Sequence, residues 1–301
     1  MMKKLISTTI CFAIAAGIAG CNNVTDLKDN ETTASYSEAT ISYLGPEGTY
    51  TQEASEVFFK KEGKYVPHKT VSDAIKSLTD GKSDYAVIPQ ENTIGGAVTD
   101  YVDTLIATPG VSVTGEVVLT INQNLLVMPG SSLDGIKTVY SHNQGIAQCR
   151  EWLSKNLPNA EVIEVSSTAE GAKMVSEAKD SSKAAIASAG CANVYGLEVK
   201  ASAIQNNDSN KTRFYVLSTK EPSTNDKGRM AFIARGSAAY LPALLSSIYK
   251  FRGTLITIHD RPLKTELGQY SYLIECEGLS YADYREIKDT PGLDFRFLGC
   301  Y

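Results

Sequence analysis

Asn210-Lys211-Thr212-Arg213-Phe214 sets a hydroxyl, a permanent cation and an aromatic ring where a polar loop gives way to the apolar run Phe214-Tyr215-Val216-Leu217. The chemistry open to such a set is anion capture and hydrogen-bond catalysis. A guanidinium holds a carboxylate through two parallel hydrogen bonds, and a threonine hydroxyl donates or accepts beside it. Arg213 is therefore a candidate carboxylate holder. Because residues alternate along a strand, it is also open to facing away from Thr212 and closing a structural salt bridge. Three further polar segments stand upstream: Pro89-Gln90-Glu91-Asn92-Thr93, Tyr140-Ser141-His142-Asn143-Gln144 and Ser167-Thr168. Asn92 and Gln144 bring neutral amides; Thr93, Ser141, Ser167 and Thr168 bring hydroxyls. A glutamate beside an anion would repel it unless protonated, so Glu91 reads as structural.

These segments need elements to place them. Apolar periodicity gives a strand at 41–44, helices at 51–61 and 71–78, a buried-type strand at 85–88 stopped by Pro89, and a helix at 97–107. Two β-rich runs follow at 111–118 and 125–128. A second alternating unit reads as strand 137–140, helix 144–153, strand 161–165, helix 168–178 and strand 184–187. The expectation is two small α/β lobes, each on a mainly parallel sheet, with ligands bound beyond the carboxyl ends of the strands. Glu91-Asn92-Thr93, Ser141 to Gln144 and Ser167-Thr168 all fall at such ends, which places one polar cleft between the lobes. Ser167 and Thr168 open a helix, where a hydroxyl cap is expected locally and where a carboxylate is also attracted. A linker by composition covers 220–228. Beyond it the order strand 230–234, helix 241–251, strands 254–258 and 270–275, helix 281–287 and strand 295–298 is the ferredoxin-like βαββαβ arrangement.

Taken with Gly45-Pro46-Glu47-Gly48-Thr49-Tyr50, the polar segments resemble the prephenate dehydratase family in the same order, from about Ile41 to Ser218 and more weakly to Tyr301. The resemblance implies a two-lobed domain of type 2 periplasmic-binding architecture. It also implies decarboxylating dehydration of prephenate to phenylpyruvate in phenylalanine biosynthesis, with no metal and no organic cofactor. It casts Thr212, Asn92 and Gln144 as catalytic, the threonine hydrogen-bonding the departing oxygen. Arg213, Thr93, Ser141, Ser167 and Thr168 are cast as substrate-binding. Four departures stand out: Asn143 for the proline of Ser-His-Pro-Gln, Gln90 for an apolar residue, the loosened turn Gly95-Gly96, and Ala189-Gly190-Cys191 for a more polar stretch.

The C-terminal unit resembles the regulatory ACT domain through Asp260-Arg261-Pro262 and Phe297-Leu298-Gly299-Cys300-Tyr301. Leu241, Thr254 and Asp260 are its effector-binding candidates. Ala239-Tyr240-Leu241 and His259-Asp260-Arg261-Pro262 stand where the family has Gly-Ala-Leu and Glu-Ser-Arg-Pro. Weak or absent feedback by phenylalanine is expected, with the domain retained for homodimer or homotetramer contacts.

Ahead of these domains, Met1-Met2-Lys3-Lys4, the apolar run from Leu5 to Ala19 and Ile18-Ala19-Gly20-Cys21 have the order of a secretory signal. The sequence at Cys21 resembles a bacterial lipobox, which implies cleavage after residue 20 and lipidation of Cys21. Residues 21–39 read as a flexible tether. The expected mature protein is exported and lipid-anchored on the periplasmic face, the outer membrane preferred because Asn22 is not aspartate. The expected domains are 40–219 for the dehydratase and 229–301 for the ACT unit. Without Lys3 and Lys4 the chain carries 27 basic against 34 acidic residues, and no basic run suggests nucleic acid. Cys149, Cys191, Cys276 and Cys300 are spaced for neither a disulfide scaffold nor a metal site, and read as buried thiols. His68, His142 and His259 are too dispersed to suggest a metal cluster. Prephenate made in the cytoplasm sits awkwardly with export. Two alternatives therefore stay open: arogenate dehydration, and a non-catalytic exported lipoprotein that captures an aromatic acid.

Overall fold

The computed structural model describes residues 35–226 and 228–301. The expected leader, Cys21 and the first part of the tether lie outside them. The end of that tether is docked: the Tyr36 ring meets Phe59 edge-on at 4.9 Å, and its N–H donates to Glu62 Oε2 at 2.6 Å.

The first lobe carries β1 (Thr40–Leu44), α1 (Tyr50–Phe58), β2 (Lys64–His68), α2 (Val71–Thr79), β3 (Tyr85–Asn92), the short β4 (Gly96–Ala97), α3 (Thr99–Ala107) and β5 (Ser112–Thr120). The second carries β6 (Asn124–Val127), β7 (Thr138–Ser141), α4 (Asn143–Gln148), α5 (Arg150–Asn156), β8 (Glu161–Glu164), α6 (Thr168–Ala178), β9 (Lys183–Ala187), α7 (Ala189–Tyr195) and β10 (Glu198–Ala201). The chain then returns to the first lobe as β11 (Lys211–Ser218). The sheet orders are β2-β1-β3-β11-β5 and β10-β6-β9-β7-β8. In each lobe one central strand pairs in parallel with two neighbours, while the remaining main pairings are antiparallel. The sheets are thus mixed rather than mainly parallel, because β5 and β11 lie antiparallel beside the crossings between lobes. Each lobe is otherwise an α/β unit, as expected.

The helices form for local reasons. On α2, Val71, Ala74, Ile75 and Leu78 are buried on one face, and Thr70 caps it by accepting from Asp73 N at 3.0 Å. On α6, Ser167 accepts from Glu170 N at 3.0 Å, and Ala169, Ala172 and Val175 face the sheet.

Two further expectations need correction, and three elements had none. Pro89 does not end its strand, because β3 continues through a bulge to Asn92. The helix expected over 144–153 is two helices meeting at Cys149. Edge strand β2 has no buried residue, so it leaves little hydrophobic pattern to read. The short elements α7 and β10 complete the second lobe and were not anticipated.

The C-terminal domain runs β12 (Arg229–Ser237), α8 (Leu241–Lys250), β13 (Thr254–Pro262), β14 (Gln269–Glu277), α9 (Tyr281–Ile287) and β15 (Leu293–Cys300), with sheet order β13-β14-β12-β15. Strand alternation divides its faces. Met230, Phe232, Ala234 and Ile274 pack beneath α8 and α9. Ala231, Ile233, Leu273 and Leu298 instead join one core with Ile88, Leu105 and Tyr215 of the first lobe. The domain is therefore docked by a shared hydrophobic layer. Cys149, Cys191 and Cys276 are buried free thiols, and Cys300 is buried as well.

Candidate functional site

β3 and β11 lie side by side with Thr212 opposite Asn92. Asn92 Nδ2 donates to Thr212 Oγ1 at 2.9 Å and to Asn210 Oδ1 at 2.8 Å. Its carbonyl oxygen accepts from the N–H groups of Ile94 and Gly95 at 2.9 and 3.0 Å. These four contacts fix which way the amide points. They also leave Thr212 an acceptor toward Asn92, with its own hydroxyl proton committed to no protein group among the described residues.

The pair lies on the wall of a cavity of about 510 Å³ between the lobes, with Gln144, Ser167 and Thr168 on the opposite side. Gln144 approaches so closely that a Cβ on Gly95 would stand 3.0 Å from its Nε2. Glycine at 95 thus leaves room for the Gln144 amide beside the Asn92 loop. Among the described residues no lysine or arginine lines the cavity; Asp100, His142 and Tyr50 are its titratable residues. In place of cations stand helix amino termini: Tyr50 and Thr51 of α1, Thr99 and Asp100 of α3, and Thr168 of α6 all line it. Each carries the positive end of a helix dipole, about half an elementary charge, with Thr49 and Ser167 capping α1 and α6. No side chain caps α3, where Val98 occupies the cap position. Pro89, Phe214, Leu44 and Ile121 supply an apolar wall. The arrangement suits a flat anion with an apolar body.

Sequence reasoning placed some residues elsewhere than the structure does. Arg213 is not at the cavity. Successive side chains of β11 leave opposite faces, so Thr212 and Phe214 turn to the cavity while Arg213 is buried against the C-terminal domain. There its Nη1 donates to Glu275 Oε2 at 2.7 Å, Nη2 to Glu91 Oε2 at 2.5 Å and Nε to Gln90 Oε1 at 2.9 Å. Burial alone would lower this guanidinium, but Glu275, Tyr215, Glu116 and Glu91 outweigh it and hold it raised. Thr93 is turned away from the cavity: its Oγ1 donates to Ser209 O at 3.1 Å and accepts from Lys211 N at 2.9 Å, stapling the loop that carries Asn210. Ser141 is buried under α4, donating to Ile186 O at 2.7 Å. The three effector candidates do not meet within one chain. Leu241 opens α8 and packs against the core beneath it, while Thr254 and Asp260 lie six residues apart on β13, about 20 Å along an extended strand.

Other cavity residues were missed. Asn210 is fully buried, two positions before Thr212 on the same face, and its Nδ2 has no partner among the described residues. Gln123 Nε2 donates to Gln148 Oε1 at 3.0 Å, and its own Oε1 likewise has no partner among the described residues. Strand alternation through 210, 212 and 214 was the signal that could have found Asn210. Nothing local marks Gln123, which sits where the chain crosses between lobes.

A family model for prephenate dehydratase matches residues 41–222. The chain belongs to the prephenate dehydratase family. It is 39% identical over 241 residues to the bifunctional chorismate mutase/prephenate dehydratase of Neisseria gonorrhoeae, covering 79% of this chain. The chain spans only 66% of that relative's length. It is 36% identical over 275 residues to the prephenate dehydratase of Lactococcus lactis subsp. cremoris, covering 87% of this chain and 96% of the relative. The solved prephenate dehydratase of Arthrobacter aurescens, in complex with L-Phe, superposes with a TM-score of 0.78 at 28% identity, over 86% of this chain and 89% of that one. Asn92, Gln144 and Thr212 line one cavity, with Asn143 and the Gly95-Gly96 turn in place.

Proposed function

We propose that the protein is a prephenate dehydratase, a hydro-lyase that converts prephenate to phenylpyruvate, carbon dioxide and water. One observation carries the reading beyond family membership: the Asn92–Thr212 pair on a cavity that offers neutral donors and helix dipoles instead of cations. In this reaction the ring carboxylate leaves as carbon dioxide. Its electron pair enters the ring as the ring C–O bond breaks, and the departing hydroxide takes up one proton from solvent to leave as water. Thr212 is too weak an acid to surrender its proton outright. Held as an acceptor by Asn92, it directs its O–H at the departing oxygen, and the Asn92 donation strengthens that bond cooperatively. Gln144 and the amino terminus of α6 take the side-chain carboxylate. The apolar wall receives the carboxylate that is lost, where no cation over-stabilises it. Positioning and fixed dipoles supply the catalysis.

The C-terminal unit is read as an ACT domain with weak phenylalanine binding. The Tyr240 ring lies against Gly292 so closely that a Cβ there would be 2.3 Å from Cε2, so this corner is filled by tyrosine. We also propose export and lipidation at Cys21, with the enzyme at the outer membrane; radioactive palmitate incorporation should vanish in Cys21→Ala. The activity is tested by mixing protein lacking residues 1–21 with prephenate and following phenylpyruvate by its alkaline absorbance. Catalytic formation of phenylpyruvate is expected. Tight binding of an aromatic acid without product would instead make the protein a receptor.

A further inference from the structure

The buried polar cluster between the first lobe and the C-terminal domain does more than neutralise charge. Glu275 of β14 is fully buried. Its Oε2 accepts from Arg213, and its Oε1 accepts from Gln90 Nε2 and from the Tyr215 hydroxyl. Tyr301 extends the cluster, donating to the Tyr215 hydroxyl at 3.3 Å. Four of these groups stand next to the catalytic pair or beside it on the same strands. Gln90 and Glu91 immediately precede Asn92, and Arg213 and Tyr215 follow Thr212.

The strand register shows why this matters. Phe214 pairs with Pro89 and Arg213 with Glu91, so Gln90 is the extra residue of a β-bulge. A bulge shifts the facing of every residue beyond it by one. Without it, Glu91 would turn into the anion cavity and Asn92 away from Thr212. With it, Glu91 is drawn to Arg213 and Asn92 faces Thr212. The side chain of the bulged residue is held on both ends of its amide, Oε1 by Arg213 and Nε2 by Glu275.

We infer that Glu275, with Gln90 and Arg213, locks the bulge that keeps Asn92 rather than Glu91 facing the substrate, making Glu275 a positioning residue supplied to the active site by the C-terminal domain. The kinetic part rests on the dehydratase reading; the structural part does not. The acid contributes no contact to the reacting atoms. It fixes the register of the strand that does.

The test compares wild type, Glu275→Gln and Gln90→Leu in the full two-domain protein, by prephenate kinetics and by hydrogen–deuterium exchange. For either variant kcat falls at least tenfold while KM stays within twofold, since the helix termini that hold the substrate are untouched. Peptides covering residues 88–97, whose Ile94 and Gly95 amides depend on Asn92, exchange at least tenfold faster. Peptides covering 138–187 in the second lobe do not change, which a general loss of stability would not spare. A folded Glu275→Gln protein with kcat within twofold of wild type and unaltered exchange over 88–97 overturns the inference. If Glu275→Gln does not fold, Gln90→Leu decides by the same criteria. If wild type fails to turn over prephenate, the dehydratase reading is lost, and the exchange measurement alone decides whether the bulge is locked.

Discussion

Asn92 donates to Thr212 Oγ1 across two paired strands at 2.9 Å while its own carbonyl is held by the amides of Ile94 and Gly95. This relationship sets the direction of a hydroxyl proton. It follows from strand register and one bulge.

Asn92→Ala removes both the donor that orients Thr212 and the acceptor that orders the Ile94–Gly95 turn. Loss of a preorganised hydrogen-bond group of this kind costs on the order of a hundredfold in kcat. The turn is exposed, so stability should fall by only about 1 kcal/mol. Steady-state kinetics and urea denaturation on the same preparation check both numbers.

Arg213→Met leaves Glu275 and Glu91 without their guanidinium. Breaking a buried pair from one side costs roughly 3–5 kcal/mol, so the variant should be strongly destabilised in chemical denaturation. A substrate-holding arginine would behave otherwise, raising KM with the midpoint unchanged.

How far these residues were legible depended on whether their position was set by period or by register. Alternation alone allowed Arg213 to lie behind Thr212, and the apolar periods of 71–78 and 168–178 gave helices close to those found. The bulge at Gln90 could not be read, because it depends on which residue of β11 faces which residue of β3. The same partner strand carries β3 through Pro89. Short α7 and unburied β2 offer too few apolar positions to show a period. The absence of cations from the cavity was also hidden, since helix amino termini contribute charge through backbone groups that no residue type announces.

Acid should loosen the interface between domains. Burial holds the His259 imidazole below its ordinary 6.5, with Arg213 adding to this and Glu91 and Asp260 opposing it. Since the folded value lies below the unfolded one, the unfolded chain takes up the proton first on acidification. The contribution of neutral His259 is therefore complete above about 6.5 and declines as pH falls toward the folded value. Melting temperature should drop from pH 7.5 to 5.5 by more in wild type than in His259→Gln. Equal drops would place the pH response elsewhere.

Gly48 joins the lobes. It adopts φ +82°, its carbonyl accepts from Ser188 Oγ at 2.8 Å and Cys191 Sγ at 3.0 Å, and a Cβ there would stand 2.9 Å from that sulfur. Gly48→Ala should cost at least 1–2 kcal/mol from the left-handed backbone alone. The crowding against α7 should also raise KM for prephenate. Thermal unfolding and kinetics together check it; an unchanged melting temperature would show that the turn relaxes freely.

The hydroxyl of Thr212 is tested most directly by comparing kcat for prephenate in Thr212→Ala and Thr212→Ser. The serine variant keeps the O–H beside Asn92 and should stay within about tenfold of wild type, whereas the alanine variant should lose at least about a hundredfold. A Thr212→Ala protein that releases phenylpyruvate within threefold of the wild-type rate would contradict the account.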